Sequence, residues 1–125
     1  VFTGEADLKI MSFSVGEEFV RKIHMLKKRG RIKHAELFFD FKAAEKTART
    51  NTLTTTVFDR VCYCANHAKV VVVDGEEQTC TIVTSQNGTR GTRNEVYFIT
   101  NKGEIAEYVR RKLEKLRASR INTGD

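Results

Sequence analysis

Hydrophobic and polar residues along the chain follow two different periods, which predict alternating strands and helices. Residues 7–13 alternate between apolar and polar positions, as expected for a strand. Apolar residues at helical spacing then predict a helix with a buried stripe of Phe19, Val20, Ile23 and Leu26. We expect this helix to begin at a capping box over residues 14–17 and to end at Gly30, after three basic residues.

The middle of the chain is predicted to alternate between further strands and short connections. Residues 35–41 form a predicted Phe-rich strand, residues 43–49 a short helix, and residues 50–56 a mobile, Thr-rich connection. Four more strands are predicted over residues 57–63, 68–73, 79–84 and 96–100. The four valines at 70–73 are apolar on both faces, which is typical of a central strand covered on both sides. The Asp74-Gly75 pair predicts the turn of a hairpin.

The last part of the chain has an apolar stripe at helical spacing. Its members are Ile105, Tyr108, Val109, Leu113 and Leu116. The order of the predicted elements indicates an α/β fold, with a mixed β-sheet flanked by helices. No internal repeat or linker divides the sequence, so residues 1–125 are predicted to form a single domain.

Composition narrows the classes of function. The longest apolar run has only four to five residues, so we expect no stable membrane insertion. The net charge of +6 favours a polyanionic partner, either nucleic acid or an anionic lipid surface, although it also serves ordinary solubility. Three cysteines are too few for a disulfide scaffold and fit a reducing compartment. A cytoplasmic location is therefore expected, unless a segment before Val1 has been removed.

The candidate chemistry lies in residues 67–75, which have the pattern H-x-K-x4-D-G. On a strand, His67 and Lys69 point to the same side. An imidazole can attack phosphorus or deliver a proton, and an ammonium can neutralise the charge on phosphate oxygens. Asp74 comes at the far end of the same strand, where we expect it to fix structure or to orient a partner group.

Polar side chains after the hairpin are expected to return to the same edge of the sheet. Ser85 and Asn87 follow the return strand, and their hydroxyl and amide groups suit hydrogen bonds to phosphate oxygens. Arg90 and Arg93 stand in a Gly-rich loop suited to binding substrate phosphates, although such a loop can also serve solubility alone. Glu95 opens the last strand and is expected to hold a histidine tautomer.

The pattern H-x-K-x4-D, followed by a strand end with Ser and Asn, resembles the phospholipase D superfamily. The matching positions are His67, Lys69, Asp74, Ser85 and Asn87. The opening strand and helix are similar too, so the resemblance covers nearly the whole chain. A single motif fits the branch of small bacterial nucleases. Thr84 departs from the family pattern, because a Gly usually stands before the Ser, and the hairpin before Asn87 is longer.

The resemblance implies a phospholipase D-like domain and a mechanism. In that family two motifs meet across a pseudo-two-fold axis. One histidine becomes a phosphohistidine and the other acts as the acid towards the leaving group, without a metal or any other cofactor. A chain with one motif is therefore expected to form a homodimer. We predict a metal-independent nuclease that hydrolyses phosphodiesters of DNA or RNA.

Two other functions and one metal site are weighed against this prediction. One alternative is a phospholipid or cardiolipin phosphodiesterase, and another is a catalytically weak nucleic-acid-binding module cut from a larger protein. Cys62, Cys64 and Cys80 with His67 suggest zinc, but the close-spaced ligand pairs of zinc sites are missing. Buried thiols are the preferred interpretation.

Overall fold

The computed structural model describes residues 5–45, 48–84 and 97–118, which contain a six-stranded mixed sheet and four helices. In chain order the elements are β1 (Ala6–Ser12), α1 (Glu17–Lys28), β2 (Ile32–Asp40), α2 (Phe41–Glu45), α3 (Ala48–Val57), β3 (Arg60–Cys64), β4 (Val70–Asp74), β5 (Thr79–Thr84), β6 (Tyr97–Thr100) and α4 (Gly103–Ala118). The strands lie in the order β3-β2-β1-β4-β5-β6. The first three are parallel, and β4, β5 and β6 each run antiparallel to the neighbour before them. The predicted α/β class with a mixed sheet is confirmed.

Alternation along the strands divides the core between the two faces of the sheet. On one face Leu8, Ile10 and Leu37 pack with α1, α2 and α3. On the other face Met11 and Phe38 pack against α4. Both faces of β2 are therefore covered, and every residue from Ala35 to Asp40 is buried.

The four-valine segment forms the predicted central strand. β4 lies between β1 and β5, and Val72 is fully buried on the α4 side. The Gly75 N–H donates to the Gln78 carbonyl at 2.8 Å, which closes the predicted hairpin. The return strand β5 has the predicted bounds, residues 79–84.

Helix α1 ends as predicted but begins differently. Gly30 has a φ of 72°. Its N–H donates to the carbonyl of Lys27, and the N–H of Arg31 donates to the carbonyl of Leu26, so the helix ends in a Schellman motif. The predicted capping box is wrong. The helix begins at Glu17 with Gly16 as its N-cap and without a side-chain cap.

The predicted Thr-rich connection over residues 50–56 is wrong, because this segment lies in α3. Threonine has a weak intrinsic helix propensity, but tertiary packing overrides it. Thr54 is fully buried, and Leu53 packs against the core beneath it. The hydroxyl groups of Thr55 and Thr56 both donate to the Thr52 carbonyl, at 3.1 and 2.9 Å, so they are satisfied within the helix.

Two neighbouring boundaries shift as a result. The helix predicted over residues 43–49 is divided between α2 and α3, and the strand predicted over residues 57–63 is observed at Arg60–Cys64. Val57 ends α3 instead of opening a strand.

Helix α4 covers the second face of the sheet and forms a salt bridge to β2. Ala106, Val109 and Leu113 are buried against the sheet. Arg117 donates to the buried carboxylate of Glu36 on β2 at 2.6 Å. Among the described residues, no helix has the length and apolar composition that crossing a bilayer requires.

Candidate active site

The sheet brings the H-x-K pair to the edge at which the parallel strands end. Residues 65–69 connect β3 to β4, and β4 runs antiparallel to β1 with Val70 opposite Met11. His67 and Lys69 therefore lie just before β4, and the prediction that they belong to the strand itself is wrong. The carboxyl ends of parallel strands form the usual ligand-binding edge of an open α/β sheet.

His67 and Lys69 form one pair, in which His67 is exposed and Lys69 is half-buried. The Lys69 Nζ atom lies 3.4 Å from Nδ1 of His67 and donates to the His67 carbonyl at 2.9 Å. Phe13 directly follows β1, and its ring packs against the imidazole with the two ring centroids 4.9 Å apart. The side chains thus meet as predicted, with an aromatic ring tilted at 49° against the imidazole and a cation beside its Nδ1 atom.

This contact limits how the imidazole can bond to Lys69. A charged ammonium can only donate, so a hydrogen bond from Lys69 to Nδ1 requires the neutral tautomer that carries its proton on Nε2.

Asp74 is separated from this pair by the length of β4. Its carboxylate accepts from Arg110 of α4 and from the Thr79 hydroxyl, the latter at 2.9 Å. Asp74 thus joins the end of β4 to β5 and to α4. The structure does not bring it together with His67 and Lys69.

The other predicted site residues lie outside the described part of the chain. These are Ser85, Asn87, Arg90, Arg93 and Glu95. The strand that leads to them does return to the site, because the N–H of Thr84 donates to the Lys69 carbonyl at 3.1 Å. Thr84 at the end of β5 is therefore level with the H-x-K pair.

Three residues that the sequence interpretation missed support the pair. Phe13 contacts the imidazole. The Asn66 side chain bonds to both the N–H and the carbonyl of Ala68, and the Asp40 carboxylate accepts the N–H of Asn66 at 3.0 Å. Two local signals were present. Asp40 precedes a helix as an N-cap residue does, and Asn66 stands where an Asx turn bonds the backbone two residues on.

The cysteines are placed as apolar residues. Cys62 and Cys64 are buried in the core beneath α4, and Cys80 is partly buried. Burial, reinforced by Cys62 and then by the charge of Asp40, raises the pKa of the Cys64 thiol to about 12, away from the thiolate form that binds metals. Within the described ranges no group of three or more His, Cys, Asp or Glu residues is arranged to hold a metal ion.

No protein-family model matches the chain, and no curated protein sequence is similar to it.

Proposed function

We propose that the chain is a metal-independent phosphodiesterase of the phospholipase D type, acting as a homodimeric nuclease. The observation that carries this proposal is the exposed imidazole of His67 beside the ammonium of Lys69 at the carboxyl edge of the sheet. The net charge of +6 favours a polyanionic substrate such as DNA or RNA.

The proposed reaction proceeds in two displacements. When phosphate binds, Lys69 turns from Nδ1 of His67 to the phosphate oxygens, and the ring proton of His67 moves from Nε2 to Nδ1. The Nε2 lone pair then forms a bond to phosphorus while the bond from phosphorus to the leaving oxygen breaks. His67 of the second copy gives that oxygen its proton. Water then loses a proton to the same second histidine and attacks phosphorus, and the electron pair of the N–P bond returns to the first His67. Lys69 offsets the negative charge on the phosphate oxygens in both steps.

The edge of the sheet supports a dimer. Within the described residues β6 is an edge strand, and Phe98 and Ile99 on it are 58% and 64% exposed. Exposed apolar side chains on an edge strand favour contact with another chain. We expect sedimentation at micromolar concentration to give a dimer. A monomer with full activity would exclude a mechanism that uses one histidine from each copy.

The reaction class is tested by cleavage of plasmid DNA, RNA and cardiolipin vesicles in the presence of EDTA. We expect cleavage of a nucleic acid to survive chelation, and to weaken steeply with added salt. Loss of cleavage in EDTA with recovery on addition of Mg²⁺ would contradict the metal-free mechanism. Hydrolysis of cardiolipin without nuclease activity would assign the site to lipid substrates instead.

A further inference from the structure

The main chain that carries the H-x-K pair is held by the side chain of Asn66, which lies in the connection between β3 and β4. The Nδ2 group of Asn66 donates to the Ala68 carbonyl at 3.2 Å, and the Ala68 N–H donates to Oδ1 of Asn66 at 3.1 Å. These two hydrogen bonds close a ring across His67. Because Ala68 joins His67 to Lys69, the ring fixes the backbone on which both side chains stand.

Asn66 is in turn held by the end of β2. Oδ1 of Asp40 accepts the Asn66 N–H at 3.0 Å, and Oδ2 accepts the N–H groups of Lys42 and Ala43 at 3.1 and 3.3 Å. Asp40 and Asn66 are only 6% and 7% exposed, so water competes little for these bonds. One buried carboxylate thus connects the start of α2 to the segment that carries the H-x-K pair.

This support matters because, among the described residues, the segment is held by few other main-chain hydrogen bonds. Residues 65–69 lie outside the strands, and the sheet ladder reaches only as far as the Lys69 carbonyl. The Lys69 ammonium also depends on the orientation of the His67 carbonyl, to which it donates. An error of about 1 Å in the placement of a reacting group can cost about 100-fold in rate.

We propose that Asn66, anchored by Asp40, is the positioning residue that fixes His67 and Lys69 for the displacement. This inference rests on the proposed phosphodiesterase function. Neither residue contacts the phosphate in this assignment; both act through the main chain of the H-x-K segment.

The kinetic test compares Asn66→Ala with the parent. We expect kcat to fall about 100-fold, while KM stays within about twofold, because the net charge of +6 that favours a polyanionic substrate is unchanged. Asn66→Asp keeps the acceptor for the Ala68 N–H and loses the donor to its carbonyl, so its kcat should lie between those of the parent and Asn66→Ala. Equal kcat in all three proteins would overturn the proposal.

A matched pair of carboxylates separates positioning from general stability. Asp59 also accepts a main-chain N–H, from Ala35 at 2.8 Å, but lies at the opposite edge of the sheet, where β3 begins. Asp40→Asn should lower kcat at temperatures where the protein stays folded, whereas Asp59→Asn should lower the melting temperature and leave kcat unchanged. The same kcat loss in both variants would reduce Asp40 to a structural role.

A readout without turnover keeps the two proposals apart. In the parent protein the Ala68 amide should exchange slowly with deuterium, and in Asn66→Ala it should exchange rapidly, together with a change in the His67 ring resonances. A parent protein that cleaves no phosphodiester but shows this pattern would refute the proposed function and support the positioning. An Ala68 amide that exchanges at the same rate in both proteins would refute the positioning, whatever the activity.

Discussion

The buried ion pair between β2 and α4 allows a quantitative test of how the second face of the sheet is held. Both carboxylate oxygens of Glu36 accept from Arg117, at 2.6 and 2.5 Å, and the Glu36 side chain is only 4% exposed. Arg117 also lies over the ring of Phe38, with its guanidinium carbon 5.5 Å from the ring centroid. We consider the change Glu36→Gln, which keeps the shape of the side chain and removes its charge.

The expected cost follows from the exposure of the two partners. Removing one member of a fully buried pair costs about 3–5 kcal/mol, and a single hydrogen bond to a charged group contributes about 1.5–3 kcal/mol. The Arg117 side chain is 26% exposed and also pairs with Glu114, so its charge still has water and a carboxylate as partners after the change. We therefore expect a loss of about 2–3 kcal/mol, which lowers the melting temperature by about 10 °C in a domain of this size.

Urea denaturation measures this loss, and the chain provides a matched control. Glu114 pairs with the same arginine at 2.7 Å but is 68% exposed, so Glu114→Gln should cost less than about 0.5 kcal/mol. Replacing both Glu36 and Arg117 by Met should cost less than Glu36→Gln alone, since no buried charge is then left without its partner. The two other residues that pair with them, Arg60 and Glu114, are 59% and 68% exposed and stay hydrated. Equal losses for Glu36→Gln and Glu114→Gln would refute the reasoning.

Three further predictions concern single residues. Gly30→Ala should lower the unfolding free energy by about 1 kcal/mol, because a φ of 72° is strained for alanine, although the added Cβ would meet open space. A variant that is as stable as the parent in urea denaturation would contradict this. Burial alone would raise the pKa of Asp59, but hydrogen bonds from Lys27 and the Ala35 N–H, with the Lys27 and His34 charges, lower it overall. The stability that this carboxylate contributes is present above its ordinary pKa of about 3.9 and is lost as the pH falls through the lower folded value. Asp59→Asn should therefore flatten the acid side of the melting-temperature profile, and an unchanged profile would count against it. Burial raises the pKa of Cys64 to about 12, so this thiol should resist iodoacetamide at about pH 8 until urea is added. Mass spectrometry of the labelled peptide measures this, and labelling in the native state would disprove the burial of Cys64.

Elements with a strong local pattern were predictable from the sequence. The valine run and the Asp74-Gly75 turn fix the β4–β5 hairpin, because an apolar strand followed by a turn pair has few other solutions. The apolar stripe of α4 is predictable as well, although Tyr108 of the predicted stripe is 59% exposed and Ala106, which the prediction left out, is buried. Helix α3 was not predictable in this way, because threonines give a weak local signal and its formation depends on burial of Leu53 and Thr54.

The candidate site divides in the same manner. His67 and Lys69 are recognised from their spacing, and the structure brings their side chains together. The contacts that support them, from Asp40 and Phe13, come from segments far away in the sequence, and only the sheet topology reveals them. Asp74 belongs to the same motif, yet the length of β4 places it with Arg110 at the other end of the strand.

The most direct test of the account is the rate of nucleic-acid cleavage by His67→Ala in the presence of EDTA. The matched control is His24→Ala, which removes another exposed histidine, from the surface of α1. Circular dichroism should show both variants folded, because neither side chain is buried. We expect His67→Ala to lose at least about a thousandfold in rate, the range for removal of a nucleophile or general acid, while His24→Ala keeps the parental rate. A folded His67→Ala protein that cleaves as fast as the parent would contradict the assignment of His67 as the reacting group.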